Sequence, residues 1–251
     1  MKKIMAANWK MFKTHAQGIE TATALVDILR NKLPEDREVL VIPPFTLLHG
    51  VHNVLQGEPG FFLGAENFYP ADQGAFTGEI CPEQLRDLGC TYALAGHSER
   101  RHIMGEDDAF VGLKVRFGLK QGLRMILCIG EKIAERKAGN VENVLFRQLQ
   151  KGLEGIDPGV DPETLVVAYE PVWAIGTGEV AGLEEILAVH ALVRNKLVQM
   201  FPDSGKSIPI LYGGSVKPDN CTSIISLDNV DGVLVGGASL AAESFSQIVL
   251  A

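Results

Sequence analysis

Short apolar segments recur about every 30 residues along this chain, and they constrain its fold more than any other feature of the sequence. Most of them are apolar at every position, which is typical of strands that are buried on both faces. The segments are Ile4–Ala7, Val39–Ile42, Phe61–Ala65, Tyr92–Ala95, Met125–Ile129, Leu165–Tyr169, Ile208–Tyr212 and Val230–Val235. We therefore predict roughly eight buried parallel strands.

Segments with helical periodicity separate these predicted strands. Within Thr14–Asn31, the side chains of Ile19, Leu25 and Leu29 recur on one helix face, and Thr14 can cap the first turn. The other helical segments are Asp107–Gln121, Glu131–Leu153, Leu183–Met200 and Glu243–Leu250, with shorter ones near Leu47–Gln56 and Pro82–Leu88. Strands that alternate with helices in this way indicate an α/β fold.

The position of the glycine pairs distinguishes a closed barrel from an open, doubly wound sheet. A doubly wound nucleotide-binding sheet usually has a glycine-rich turn after its first strand. Here the first strand runs into Asn8-Trp9-Lys10, whereas Gly213-Gly214 and Gly236-Gly237 follow the last two strands. Phosphate sites of (βα)8 barrels lie after those strands. We predict one (βα)8 barrel domain over residues 1–251, with eight parallel strands surrounded by helices.

Charge and composition exclude several classes of protein. The 31 acidic and 23 basic residues give a net charge of −8, which argues against nucleic-acid binding but permits a local pocket for a small anion. No apolar run reaches the ~18–20 residues of a membrane helix. The run Ile4–Ala7 is too short for an export signal, and the four cysteines form no Cys-x-x-Cys pair. We expect a cytoplasmic protein with reduced thiols and no membrane contact.

The histidines outside the conspicuous motifs give no indication of a metal site. His49 and His52 are three residues apart on a predicted helix, but no third ligand follows at a suitable spacing. His15, His102 and His190 have no evident partners in the sequence. We therefore predict that no metal is bound.

Residues that follow the carboxyl ends of barrel strands line the active face. The candidates are Asn8 and Lys10 after the first strand, His97 after the fourth and Glu170 after the sixth. Each also has a structural interpretation, because Glu170 could pair with an arginine and Lys10 could be a surface charge anchored by Glu99. We expect burial to raise the pKa of Glu170, which suits a general base. A short helix starting directly after His97 would keep its imidazole neutral.

Two glycine turns and one uncharged loop complete the predicted site. Gly213-Gly214-Ser215 and Gly236-Gly237 follow successive strands, and glycine lets main-chain N–H groups approach a phosphate. One such turn could be a simple connection, but two in succession favour an anion site. The loop Pro171–Gly178 has no charge and contains two glycines and a tryptophan, which is typical of a lid that excludes water.

Five motifs together resemble the triosephosphate isomerase family. They are Asn8–Met11, Ala95–Arg101, Ala168–Gly178, Tyr212–Val216 and Leu234–Ser239, in the family's order along the chain. The resemblance implies a TIM barrel that interconverts dihydroxyacetone phosphate and D-glyceraldehyde 3-phosphate. It also implies a place in glycolysis and gluconeogenesis, and no metal or organic cofactor.

The resemblance further implies roles for individual residues. Glu170 would move a proton between C1 and C2, and neutral His97 would donate to the substrate oxygen. Lys10 and Asn8 would face the developing oxyanion, with Glu99 holding Lys10. The phosphate would be bound by main-chain N–H groups, and residues 171–181 would form the lid. Those N–H groups belong to Gly176, Ser215, Gly236 and Gly237.

The resemblance implies a homodimer in which residues 67–79 reach the partner's active site, with Thr77 at the contact. This segment is long and partly apolar, as expected of a buried interface.

Two alternatives to the isomerase function remain. A Schiff-base aldolase on the same barrel needs a buried lysine within a strand, and none of the eight segments has one. A catalytically inactive, phosphate-binding barrel would not exchange hydrogen at the substrate carbons.

Overall fold

In the residues that the computed structural model describes, 2–174 and 181–251, eight strands form a closed barrel. They are β1 (Lys3–Asn8), β2 (Arg37–Ile42), β3 (Phe61–Ala65), β4 (Cys90–Ala95), β5 (Arg124–Ile129), β6 (Leu165–Tyr169), β7 (Ile210–Tyr212) and β8 (Gly232–Val235). Neighbours pair in parallel and in chain order. The pairing of β1 with β8 closes the barrel, with Ile4 opposite Gly232. The predicted (βα)8 barrel is confirmed.

Helices connect the strands on the outside of the barrel. Those described are α1 (His15–Leu29), α2 (Leu48–Leu55), α3 (Pro82–Asp87), α4 (Ser98–His102), α5 (Asp108–Lys120), α6 (Ile133–Lys137), α7 (Val141–Gly152), α8 (Leu183–Met200), α9 (Pro218–Ile225) and α10 (Ala242–Val249). Short 3-10 helices cover Phe45–Leu47, Val172–Ala174 and Gly237–Leu240.

One predicted helix is wrong, and α9 was not predicted. The segment Glu131–Leu153 forms two helices, α6 and α7, rather than one continuous helix. Gly139 lies between them with φ at 70°, outside the right-handed helical region, so the chain changes direction there. Helix α1 begins directly after Thr14, as predicted, but the hydrogen bond at this cap runs from the main-chain N–H of Thr14 to the Gln17 side chain, at 2.9 Å, rather than to the Thr14 hydroxyl.

Alternate strand residues pack on opposite sides of the barrel wall. In β6, Val166 and Ala168 belong to the cluster inside the barrel, whereas Val167 and Tyr169 pack in the layer beneath the helices. Both faces are therefore buried, which explains why the strands are apolar at every position. The same alternation places Glu170, directly after β6, in register with the inward side chains.

The cysteines, the helices and the arrangement of possible metal ligands bear on the class of protein that the sequence predicts. Cys81, Cys90, Cys128 and Cys221 are all free and buried. No helix within 2–174 or 181–251 is both long enough and apolar enough to cross a membrane. Within the same residues, no group of three or more His, Cys, Asp or Glu side chains is placed to hold a metal ion.

Candidate active site

The strand register brings the predicted catalytic side chains together at the carboxyl end of the barrel. Asn8 ends β1 on its inward face, Glu170 directly follows β6, and His97 follows β4. A cleft of about 400 Å³ opens at this end. Its lining includes Asn8, Lys10, His97, Glu170, Ser215, Gly236 and Gly237. The cleft therefore combines a carboxylate, an imidazole, an ammonium group and two glycine turns.

His97 and Glu170 contact each other directly inside the cleft. The Nε2 atom of His97 lies 3.0 Å from Oε1 of Glu170. The second oxygen of Glu170 accepts a 3.1 Å hydrogen bond from the main-chain N–H of Ser98, the first residue of α4. The Nδ1 atom of His97 accepts the main-chain N–H of Glu99 at 3.3 Å, so the ring hydrogen lies on Nε2. Both side chains are nearly fully buried, at 7% and 3% exposure.

The contact shifts both pKa values away from the directions expected from the sequence. Burial disfavours the Glu170 carboxylate, but His97, the N–H of Ser98 and the charge of Lys10 together lower its pKa. Burial likewise disfavours the imidazolium of His97, but the carboxylates of Glu170 and Glu99 raise its pKa. The sequence led us to expect a raised pKa for Glu170 and, from the helix start after His97, a disfavoured imidazolium; both expected directions are wrong. Each expectation considered the pKa of one residue alone and left out the effect of the other residue.

Lys10 is held in a fixed position beside the cleft. Its Nζ atom lies 2.8 Å from Oε1 of Glu99, and its main-chain N–H donates to Oδ1 of Asn8 at 3.1 Å. Its φ is 52°, a left-handed conformation that is uncommon outside glycine. A Cβ atom at Gly236 would lie 3.2 Å from Cε of Lys10, so glycine permits this close approach. A positive charge is thus placed against the glycine turn after β8.

The two glycine turns differ in what surrounds them. A Cβ atom at Gly213 would lie 2.8 Å from Cγ of Glu170, so this glycine makes room for the carboxylate. A Cβ atom at Gly237 would meet no heavy atom within 4 Å. Gly237 therefore faces open space in the cleft, where a ligand can approach the main chain.

The predicted lid, residues 171–181, is described only in part. Gly176 and the rest of residues 175–180 lie outside the described residues. Before them, Trp173 donates from Nε1 to Oε1 of Glu131 at 2.8 Å. The carboxylate of Glu131 is completely buried, so the end of the described segment is anchored to the barrel.

Glu66, which directly follows β3 beside Lys10, was not among the residues predicted from the sequence. Its Oε1 atom is buried and has no hydrogen-bond partner among the described residues. Burial, with the nearby charge of Glu99, raises its pKa to about 8, although His97 and Lys10 act in the opposite direction. The rule that located the other candidates, a polar residue directly after a strand, applies to Glu66 and would have identified it.

Cys128 was also missed as a neighbour of the site. It belongs to the cluster inside the barrel, and its thiol lies close enough to Glu170 for the two groups to interact electrostatically. Burial and the carboxylate of Glu170 raise the pKa of this thiol well above its ordinary value. Cys128 is therefore a neutral thiol beside the carboxylate, a position that only the inward register of β5 could have indicated.

Comparison with known proteins agrees with this geometry. The family model for triosephosphate isomerase matches residues 3–251. The chain belongs to the triosephosphate isomerase family. Triosephosphate isomerase of Nitratidesulfovibrio vulgaris (strain DP4) is 58% identical over 251 residues, which is 100% of both chains. That of Roseiflexus sp. (strain RS-1) is 48% identical over 247 residues, covering 98% of this chain and 96% of the relative.

A solved structure agrees as well. The crystal structure of triosephosphate isomerase from Bartonella henselae superposes with a TM-score of 0.88 at 37% sequence identity, covering 99% of this chain and 98% of that one. The resemblance drawn from the motifs is confirmed, and the chain is an enzyme, an isomerase of this family. Neither the aldolase nor the inactive barrel is favoured.

Proposed function

We propose that this chain interconverts dihydroxyacetone phosphate and D-glyceraldehyde 3-phosphate, with Glu170 as the base. The observation that supports this most strongly is the 3.0 Å contact between His97 and Glu170 in a cleft that also contains Lys10. A base that takes a proton from carbon and a donor to the neighbouring oxygen must converge on one place in the cleft to act on adjacent atoms. The reaction belongs to glycolysis and gluconeogenesis.

Glu170 moves one proton in two steps. Its carboxylate removes a proton from C1 of dihydroxyacetone phosphate, and the electron pair of that C–H bond forms an enediolate. The resulting carboxylic acid returns the proton to C2, and the proton of the C1 hydroxyl moves to the C2 oxygen, which gives the aldehyde product. A positioned base of this kind typically contributes ~10²–10⁴-fold to the rate.

His97 and Lys10 stabilise the negative oxygen that develops. His97 donates from Nε2, because its Nδ1 atom already accepts the N–H of Glu99. Preorganised donors to an oxyanion are worth roughly 2.7–4 kcal/mol each. Lys10 adds a positive charge beside the donor. Glu99 and Asn8 position Lys10 through its ammonium group and its main-chain N–H, respectively.

Substrate binding replaces the direct contact between His97 and Glu170. The substrate oxygen takes the hydrogen bond from Nε2 of His97, and the C–H group faces the carboxylate. Glu170 then loses the partner that opposes its desolvation, so its pKa rises and it becomes a stronger base. His97 loses the carboxylate that favours imidazolium, so it acts as a neutral donor.

The phosphate binds at the main-chain N–H groups of Ser215, Gly236 and Gly237. These residues line the same cleft as Glu170, on the side formed by the turns after β7 and β8. The open space at Gly237 leaves room for a ligand oxygen near the main chain. Binding energy from this remote group holds the reacting carbons in place.

Two copies of the chain associate through residues 67–79 and complete each other's sites. Large apolar side chains are exposed within this segment and in the loop after β1, with Phe76 at 44%, Met11 at 95% and Phe12 at 54% exposure. Such apolar surface is typical of an interface. Thr77, next to Phe76, is the contact residue at the partner's active site. Each copy is one domain over residues 1–251, and the enzyme acts in the cytoplasm.

A coupled assay in both directions, with and without a phosphoglycolate-type inhibitor, tests the proposed reaction. We expect inhibitor-sensitive interconversion of the two triose phosphates. Borohydride treatment in the presence of dihydroxyacetone phosphate provides the comparison with an aldolase. Covalent labelling of a lysine, without isomerisation, would contradict the proposal.

A further inference from the structure

Lys13 connects the loop after β1 to the turn after β8. Its Nζ atom donates to the main-chain oxygen of Leu240 and to Oγ1 of Thr21, both at 2.7 Å. The same ammonium group lies over the ring of Trp9, 5.3 Å from its centroid. Leu240 ends the 3-10 helix that starts at Gly237. One side chain therefore joins the loop of Lys10 to the segment that begins at the proposed phosphate site.

The backbone of this loop depends on side-chain contacts for its shape. Lys13 has φ at 75°, and Lys10, three residues earlier, has φ at 52°. Left-handed conformations are uncommon for residues with a side chain and persist where surrounding contacts hold them. The contacts of Lys10 with Glu99 and Asn8 hold one end of the loop. The contacts of Lys13 hold the other end.

Lys10 and Lys13 lie at opposite ends of the turn after β8. At its start, Cε of Lys10 lies within 3.2 Å of the place that a Cβ atom of Gly236 would occupy. At its end, Lys13 binds the oxygen of Leu240. Lys13 lines a separate surface groove with Phe12 and Leu240, and it does not line the catalytic cleft. Lys13 can therefore act on the cleft only through the main chain of the turn that it contacts.

We propose that Lys13 is a positioning residue that sets the placement of the phosphate-binding turn relative to Lys10. Without its hydrogen bond to Leu240, residues 236–240 can move away from the loop that carries Lys10. A phosphate bound at Gly236 and Gly237 would then no longer hold the substrate carbons at the correct distance from the ammonium group. This inference rests on the phosphate position under the proposed function.

Three substitutions of Lys13 separate the ammonium group from the backbone conformation. K13M keeps an unbranched apolar side chain but cannot donate, and we expect it to raise KM roughly 5–20-fold with kcat changed less than about 2-fold. Binding of inorganic phosphate should weaken by a similar factor. K13G also removes the donor, and glycine adopts a φ of 75° without strain. A raised KM in this variant would therefore reflect the lost hydrogen bonds and not backbone strain. K13R keeps the donors and should restore KM to within about 3-fold of the unsubstituted enzyme.

Lys3 provides a matched control at the other end of β1. It is also partly buried, and its Nζ atom donates to the main-chain oxygens of Ile225 and Val230 at 2.7 and 2.8 Å. K3M therefore removes the same kind of contact far from the cleft. We expect it to lower the melting temperature about as much as K13M does, while KM stays unchanged.

The outcomes distinguish the inference from the proposed function. An unchanged KM in both K13M and K13G would overturn the inference, whatever their melting temperatures. An equal rise of KM in K3M would also overturn it, because the effect would then be a general loosening of the barrel. If a bulky residue at Gly237 leaves KM unchanged, the proposed phosphate position is wrong. If Gly237→Val raises KM and K13M does not, only the inference about Lys13 fails.

Discussion

The Nε2 atom of His97 lies 3.0 Å from Oε1 of Glu170, and this contact connects the end of β4 to the end of β6. The two strands are separated by β5 in the barrel, so the long side chains meet across the mouth. Because both groups are nearly fully buried, each determines the protonation of the other. The contact with His97 therefore helps to hold the pKa of Glu170 low, and under the proposed mechanism the substrate takes the place of His97 before Glu170 becomes strongly basic.

Shortening the Glu170 side chain should reduce turnover much more than binding. In Glu170→Asp the carboxylate retreats by about 1 Å, and a displacement of this size costs roughly 10²-fold in rate. The turn that we propose binds the phosphate is untouched, so KM should change little. Steady-state kinetics in both directions measure the effect. An unchanged kcat would remove Glu170 as the base.

Replacing Glu66 by glutamine should stabilise the protein, and more so at higher pH. Burial raises the pKa of Glu66 to about 8, so the folded chain binds its proton more tightly than the unfolded chain does. The free energy of unfolding therefore falls as the pH rises from 4.5 through about 8. Glu66→Gln removes this loss of unfolding free energy. The loss is on the order of 2 kcal/mol at pH 8, because water still reaches part of the carboxyl group and reduces the penalty.

Denaturant unfolding of both proteins at several pH values from 5 to 8.5 measures the difference for Glu66. The matched control is Glu58→Gln, whose carboxylate pairs with exposed Arg30 at the protein surface. Equal stability of the Glu66→Gln variant and the unsubstituted protein at the highest pH would show that this carboxyl group ionises without penalty.

The buried side chain of His190 should make the protein less stable in acid. Its Nδ1–H donates to the main-chain oxygen of Asn229 at 2.8 Å, and Nε2 has no partner among the described residues. Burial is the main cause that lowers its pKa from 6.5 to about 4. The unfolded chain therefore takes up a proton first, and the free energy of unfolding falls as the pH drops from 6.5 to 4.

The expected loss from His190 is about 3 kcal/mol over this range. Comparing the unsubstituted protein with His190→Asn, which can still donate to Asn229, isolates this contribution. The pH slope of the unfolding free energy should be shallower in the variant. Parallel slopes would show that His190 is not the responsible group.

Dilution should lower the specific activity if neighbouring copies complete each site. Thr77→Arg should shift this loss to higher protein concentration, because a charged side chain at the contact must be desolvated on association. Activity and sedimentation measured over the same concentrations test this. A fully active monomer would rule out the proposed role of residues 67–79.

The position of the site could be predicted from the sequence because the barrel converts chain order into spatial order. The apolar segments indicate where each strand ends. Asn8, His97 and Glu170 lie at or directly after such ends. Parallel strands in a closed barrel bring those ends to one mouth. This geometric rule needs no knowledge of individual contacts, so it succeeded for the fold and for the residues that line the cleft.

Properties that depend on contacts between distant residues could not be predicted in the same way. The pKa of Glu170 depends on the distance to His97, which lies 73 positions earlier in the chain. The hydrogen bond from Lys13 to Leu240 spans 227 positions and has no sequence signature. The break between α6 and α7 depends on the backbone conformation of Gly139, which an apolar pattern does not reveal.

Exchange of hydrogen at the substrate carbons tests the central role of Glu170 most directly. In deuterium oxide, the enzyme should incorporate deuterium at C1 of dihydroxyacetone phosphate, and nuclear magnetic resonance can follow this exchange. Glu170→Gln preserves the shape of the side chain but cannot accept the proton. We predict that this variant still binds a phosphoglycolate-type inhibitor and exchanges at least roughly 10³-fold more slowly. Exchange at the rate of the unsubstituted enzyme would contradict the account.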